Sequence, residues 1–187
     1  GIIPGLLERW YAERKVLQGK LRQAKDDNEK MFWDKRQLIK KINLNSLYGT
    51  LLNVGSRFFD IRMGQSTTLG GRTIAKHMAA KLNESLTGDY NHKGDAIIYG
   101  DTDSAYFTAW PIFKEEIDKG ELEWNKDKAI ELYDAVCEQV NESFPEFMHT
   151  LHGIDIEHGK IIAAGREVVA ERGLFIKKKR YGLLVYD

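Results

Sequence analysis

The chain has 187 residues, of which 42% are hydrophobic and 30% are charged. This composition is typical of a globular protein, and the length is enough to bury the core of one domain or slightly more. No apolar run is long enough to cross a bilayer and the N-terminus has no signal-peptide pattern, so we expect no membrane attachment and a cytoplasmic location. The single cysteine, Cys137, excludes an internal disulfide framework and is typical of a reducing compartment.

The formal net charge is zero, but the charges are segregated along the chain. Residues 9–41 contain eleven Lys or Arg against five acidic residues, whereas residues 115–157 contain thirteen acidic residues against three Lys. A second basic cluster occupies residues 177–180. Such segregation indicates either a polyanion-binding face with a solvated back or a surface that only confers solubility.

Two helices are predicted at the start of the chain. Apolar residues recur near helical spacing over residues 6–25 and again over residues 31–52, with a polar break at residues 26–29. A break this short favours an antiparallel pair. Arg14 shares one face of the first helix with Gln18, and pairing would bring this face opposite the second helix.

The second predicted helix carries a polar and aromatic stripe. Lys41, Asn45 and Tyr48 lie at positions i, i+4 and i+7, so they share one side of the helix. In an ordinary soluble protein this stripe would be the solvated face, with Tyr48 partly buried. In a nucleotide-binding protein, Lys41 and Arg14 would neutralise a triphosphate, while Asn45 and Tyr48 would lie against the sugar and a base pair. Stacking on an aromatic ring tolerates any base, as a template-directed enzyme requires.

The rest of the chain is predicted to combine helices, loops and strands, and Pro145 is expected to interrupt the segment around it. The predicted elements are a connector over 53–63, a helix over 65–86, a polar loop over 87–95, a helix over 129–140, a strand pair or one bent strand over 160–171, and strands over 174–176 and 181–186.

The sequence Tyr-Gly-Asp-Thr-Asp-Ser over residues 99–104 lies between two short apolar runs, which predicts an antiparallel hairpin with Asp101 and Asp103 at its tip. Two carboxylates so close together repel each other unless a cation or a proton relieves the repulsion. Mg²⁺ prefers carboxylate oxygen and keeps positions open for phosphates. A solvated acidic turn is the plain alternative, but the apolar strands on both sides favour a metal site.

The two motifs together resemble those of family B DNA polymerases, and more narrowly those of the replicative polymerases of tailed bacteriophages. The resemblance rests on Lys41-x3-Asn45-Ser-Leu-Tyr48-Gly49 and on the later Tyr-Gly-Asp101-Thr102-Asp103-Ser sequence. It implies an α+β fold, with helical-hairpin fingers over residues 1–60 and, over residues 61–187, a partial palm. This palm would be an antiparallel sheet that carries helices on one face, and it would lack the strand with the family's upstream aspartate motif.

The resemblance also implies residue roles in two-metal phosphoryl transfer with Mg²⁺. Asp103 would be the more direct metal ligand, with Asp101 as the supporting acid, and Glu167 resembles an acidic position on a neighbouring palm strand. The incoming dNTP would be bound by residues of the fingers, namely Arg14, Lys41, Asn45 and Tyr48. The primer-template would be gripped by Lys179 and Tyr181 of the Lys-x-Tyr element Lys179-Arg180-Tyr181, together with Lys178.

Two departures from the family pattern qualify these expectations. The family places a second fingers cation one turn after the position of Arg14, where this sequence has Gln18. Lys15 or Lys20 could supply the cation instead. The family's other metal-binding aspartate belongs to an Asp-x-x-Ser-Leu-Tyr-Pro-Ser motif that is absent from this sequence. We therefore expect a second polypeptide to supply that aspartate, the exonuclease and the thumb, and this chain alone to be inactive. The sequence leaves open a split-gene product, a cut fragment, and a non-catalytic DNA-binding or assembly module derived from a polymerase.

Overall fold

The computed structural model describes residues 1–186, and their backbone divides into two compact units, Gly1–Thr68 and a second that begins at Leu69. The elements in chain order are α1 (Ile2–Gln23), α2 (Asp27–Leu52), α3 (Ile61–Thr87), β1 (Ile97–Asp101), β2 (Ser104–Phe107), α4 (Lys114–Asp118), α5 (Lys126–His152), α6 (Ile156–Gly159), β3 (Ala170–Lys177) and β4 (Arg180–Val185). The boundary between the units falls within α3. None of the described helices combines the length and the apolar composition needed to span a bilayer.

In the first unit, α1 and α2 pack as the predicted antiparallel pair. Lys20 lies over the Trp33 ring, whereas Glu13, two turns earlier in α1, pairs with Lys40, two turns later in α2. The link between the helices is shorter than predicted, because Asp26 caps α2 by accepting the Glu29 N–H at 2.8 Å. The polar residues after Asp26, predicted as a break, are therefore the first turn of α2.

The core of the second unit lies between α3, α5 and one face of the β1–β2 hairpin. Leu82 and Leu86 of α3 pack there with buried side chains from α5, and Phe107 of β2 packs against this cluster. Both sheets are two-stranded and antiparallel, β1 with β2 and β3 with β4. The predicted α+β class, with helices on one face of an antiparallel sheet, is confirmed.

The prediction that Pro145 interrupts its surroundings is wrong, because α5 runs through Pro145 to His152. The helix ends instead at Gly153, which has a left-handed backbone (φ 62°) and whose N–H bonds to His149 O. Phe144 and Met148, on either side of the proline, are buried. Burial of this face outweighs the roughly 3 kcal/mol by which proline disfavours a helix interior.

The strand prediction for residues 160–171 is also largely wrong. Residues 162–169 have no regular secondary structure, and β3 begins only at Ala170. The segment is held on one side by Asn141 of α5, whose side chain donates to Ala164 O at 3.0 Å and accepts the Ala164 N–H at 2.6 Å. Apolar β-branched residues form a strand only when a neighbouring strand pairs with them, and the described residues provide none here.

Candidate active site

The β1–β2 hairpin places the two predicted carboxylates at its tip. Tyr99 is opposite Tyr106 and Asp101 is opposite Ser104, which leaves Thr102 and Asp103 as a two-residue turn. Asp103 is exposed, whereas the Asp101 side chain is only 18% exposed. The two carboxylates therefore have different surroundings although they are two residues apart.

Asp101 faces the turn of the β3–β4 hairpin. Its carboxylate lies 3.2 Å from Lys178 Nζ and 3.9 Å from Lys179 Nζ, and it accepts a 3.1 Å hydrogen bond from the Thr102 hydroxyl. Desolvation is the largest single influence and acts to raise the pKa of Asp101. The hydrogen bonds from Lys178 and Thr102 and the two lysine charges together outweigh it, so the pKa is lowered from its ordinary value. Asp101 therefore stays ionised at neutral pH.

Four aromatic rings join the two hairpins next to this ion pair. Tyr99 and Tyr106 of the first hairpin each contact Phe175 and Tyr181 of the second. The ring centroids of these pairs are 5.1 to 5.9 Å apart. The Tyr106 hydroxyl donates to the Tyr181 hydroxyl at 2.9 Å, which is the main reason that the pKa of Tyr106 rises to about 12. The structure thus brings Tyr181 and the two turn lysines beside Asp101.

An apolar groove of about 570 Å³ borders β2 of the same hairpin. Its walls are α3, α5, β2 and the segment 162–173, and both Asp103 and Glu167 line it. Asn141 holds this segment from the side of α5. The groove therefore runs beside a carboxylate of the hairpin tip and a carboxylate of the neighbouring segment.

In the first unit, the predicted stripe on α2 is largely solvated. Lys41 and Asn45 are exposed, and no other described residue forms a hydrogen bond or ion pair with either side chain. Tyr48 is half-buried, and its hydroxyl lies 2.8 Å from Thr68 Oγ1. Arg14 is half-buried and donates to Gln37 Oε1 of α2 at 3.2 Å, so the predicted approach of the Arg14 face to the second helix is confirmed.

The remaining predicted residues of the first unit are less distinctive. Gln18 is half-buried, while Lys15 and Lys20 are exposed and lie over the rings of Tyr11 and Trp33. Gly49 is exposed, and a side chain there would meet no atom within 4 Å. Packing therefore does not require glycine at this position.

The donor chemistry at the hairpin tip fits Mg²⁺ only in part. Carboxylate oxygen is the ligand that Mg²⁺ prefers, and Asp103 presents it to solvent. Within residues 1–186, however, no three carboxylate, imidazole or thiol side chains lie close enough together to hold a metal ion. The described residues therefore show Asp103 as an exposed carboxylate at the tip but no cluster of three such ligands.

Sequence reasoning missed the contacts that join the two hairpins. Tyr99, Asp101 and the opposing Tyr106 share one face of the β1–β2 hairpin, and strand periodicity could have placed them together. No local pattern indicates that Phe175 and Lys178 meet this face, because they lie roughly seventy residues further along the chain. The role of Asn141 also had no local signal.

Comparison with known proteins identifies the family. The model of DNA polymerase family B matches residues 1–118, and this chain belongs to that family. It is 32% identical over 162 residues to the DNA-directed DNA polymerase of Enterobacteria phage T4, covering 81% of this chain and 18% of that protein. It is 30% identical over 184 residues to the DNA polymerase of Pyrococcus glycovorans, covering 98% of this chain and 20% of that protein.

A eukaryotic relative matches a shorter part of the chain. The DNA polymerase delta catalytic subunit of Oryza sativa subsp. japonica is 37% identical over 106 residues, covering 56% of this chain and 10% of that protein. The chain thus spans a tenth to a fifth of the length of these relatives. The resemblance to family B polymerases, with phage enzymes among the relatives, is confirmed.

Proposed function

We propose that this chain is the fingers and part of the palm of a replicative DNA polymerase, which transfers a nucleotide from a dNTP to a primer 3′ end. The observation that carries the proposal is the hairpin tip, where Asp103 is exposed and Asp101, two residues before it, lies within 4 Å of the ammonium groups of Lys178 and Lys179. A carboxylate can hold cations, and ammonium groups can bind a phosphate backbone. Their presence together at one hairpin tip suits phosphoryl transfer on a polyanion. A phage-encoded member would act in the host cytoplasm.

The residues divide the work by their chemistry. Asp103 would hold Mg²⁺, with Glu167 as a neighbouring acid, and the bound cations would supply charge neutralisation at the reacting phosphate. Lys41, Asn45 and Arg14 would bind the triphosphate, which is consistent with the exposure of Lys41 and Asn45. The Tyr48 ring would lie against sugar and base, and its hydrogen bond to Thr68 would fix the orientation of the ring.

We further propose that a second polypeptide supplies the strand with the family's upstream aspartate, and that this chain acts as one subunit of a split polymerase. The groove beside β2 supports this proposal, because it is mainly apolar and lies along a hairpin with no further strand among the described residues. An extended strand bound there would bury apolar surface and could place a carboxylate near Asp103. The occupant we propose is therefore the strand that carries the family's Asp-x-x-Ser-Leu-Tyr-Pro-Ser motif.

The proposed roles predict different losses in a reconstituted enzyme. Asp103→Asn removes charge from the metal site itself and should abolish nearly all turnover, whereas Lys41→Ala removes one of several phosphate contacts and should cost about a hundred- to a thousandfold in kcat/KM. Asp95→Asn, in the exposed loop before β1, is the charge-matched control and should retain activity. Equal residual activity of the Asp103 and Lys41 variants in single-turnover incorporation would contradict the assigned roles.

A further inference from the structure

The tips of the two hairpins are strained turns in contact with each other. Among the described residues, Thr102 (φ 29°) and Lys179 (φ 63°) are the only non-glycine positions with positive φ, and each lies in one of these turns. Such a backbone conformation is unfavourable for a side-chain-bearing residue and persists only where its surroundings fix it. The Lys179 N–H donates to the Tyr99 hydroxyl at 2.9 Å, so part of this fixation comes from the other hairpin.

Asp101 is the charged group at this contact. One carboxylate lies within 4 Å of both turn ammonium groups and accepts the hydroxyl of the strained Thr102. The Asp101 side chain is mostly shielded, whereas the Lys178 and Lys179 side chains are 69% and 73% exposed. Each ammonium group has three donors, so both can contact Asp101 on the inside and an anion on the outside.

We propose that Asp101 is a positioning residue, which holds Lys178 and Lys179 in place for the phosphate backbone of the primer-template. The inference rests on the proposed polymerase function and adds a role for Asp101 other than metal ligation. Two long side chains that are ordered before DNA arrives lose less conformational entropy on binding. The turn keeps one net positive charge beyond the ion pair, so attraction to DNA is retained.

The sign of one mutational effect tests this role. Asp101→Asn removes a negative charge near the DNA-binding lysines, so simple charge attraction predicts tighter binding of a primer-template hairpin. Positioning predicts weaker binding by about three- to tenfold, because both lysines must then be ordered on binding. The measurement is fluorescence anisotropy of the full chain in EDTA, where a role in metal binding would leave the affinity unchanged. Asp101→Glu should recover part of the loss.

Asp95→Asn is the matched control for charge. It removes the same charge from the exposed loop before β1, and Asp95 has no ion pair with either turn lysine among residues 1–186. In EDTA we expect this variant to bind DNA as tightly as the wild-type chain or more tightly. Unchanged or tighter binding by Asp101→Asn as well would overturn the positioning role.

A second measurement separates this inference from the proposed function. Hydrogen exchange of the Lys179 amide reports the bond to Tyr99 without any DNA, and Asp101→Asn should speed it about tenfold or more while exchange of the buried Val140 amide stays the same. Unchanged exchange at Lys179 would overturn the inference whatever the DNA affinity. A wild-type chain that shows the expected exchange but no affinity for DNA would overturn the proposed function, and the DNA-positioning role with it.

Discussion

Asn83 organises the loop that leads into the hairpin, and its replacement provides a stringent test of the fold. The side chain is 1% exposed. It donates to Asp89 O at 2.8 Å and to Thr87 Oγ1 at 3.0 Å, and it accepts the N–H of fully buried Ala96 at 3.0 Å. One amide therefore satisfies groups at both ends of the loop.

The expected cost of Asn83→Ala follows from these partners. The Ala96 N–H would remain buried without an acceptor, which costs about 1 to 3 kcal/mol. The space left by the amide adds a cavity cost of roughly 1 kcal/mol. The Asp89 carbonyl belongs to an exposed residue and can turn to water, so it adds little. We expect the free energy of unfolding to fall by about 2 to 4 kcal/mol.

Urea unfolding followed by circular dichroism at low protein concentration measures this loss as a midpoint shift of about 1 to 2 M. Asn91→Ala is the matched control, because Asn91 is exposed in the same loop and, within residues 1–186, its side chain bonds only to the Lys93 N–H. The control should lose less than about 1 kcal/mol. The reasoning is refuted if the two variants unfold at the same urea concentration with the same slope.

Three further results are expected. Burial holds the pKa of His77 below its ordinary value of 6.5, so near and below this pH the unfolded chain binds a proton at His77 more readily than the folded chain does. The free energy of unfolding should therefore fall as the pH drops below about 6.5, and it should fall less steeply in His77→Gln. A methyl group at Gly94 would lie 2.1 Å from Asn83 Nδ2, so Gly94→Ala should destabilise the wild type by about 1 to 3 kcal/mol but cost much less in Asn83→Ala, as a double-mutant cycle would show. The chain alone should self-associate through the groove, which sedimentation can measure. Val168→Lys in the groove wall should reduce the self-association, whereas Val54→Lys outside the groove should not. A well-behaved wild-type monomer would contradict this expectation.

The sequence predicted elements whose signal is local. Helical spacing identified α1, α2 and α3. The short break after α1 predicted that α1 and α2 pair antiparallel, which the contacts of Arg14 and Glu13 with α2 confirm. The apolar runs around residues 99–104 identified the β1–β2 hairpin, because two-residue turns have strong residue preferences. Local backbone and turn preferences determine these elements, so local sequence patterns were sufficient to predict them.

The errors arose where tertiary contacts outweigh local preference. Pro145 lies in a helix because the residues around it are buried, and this burial is not visible in the sequence. Residues 162–169 begin and end with apolar runs yet form no strand, because Asn141 of α5 holds Ala164 and no strand pairs with them among the described residues. In the site, spacing placed both aspartates at one tip, but only the structure brings Lys178 to Asp101.

The central claim is that this chain is one part of a polymerase whose site another polypeptide completes, and primer extension tests it most directly. Under this proposal the purified chain should incorporate no nucleotide alone, because its 187 residues lack the Asp-x-x-Ser-Leu-Tyr-Pro-Ser motif. Mixed with a polypeptide that carries the Asp-x-x-Ser-Leu-Tyr-Pro-Ser motif, it should extend a primer in a template-dependent way, and the Asp103→Asn chain should not. Robust incorporation by the chain alone, free of contaminating polymerase, would contradict the account, and no incorporation by the mixture would favour a non-catalytic DNA-binding module.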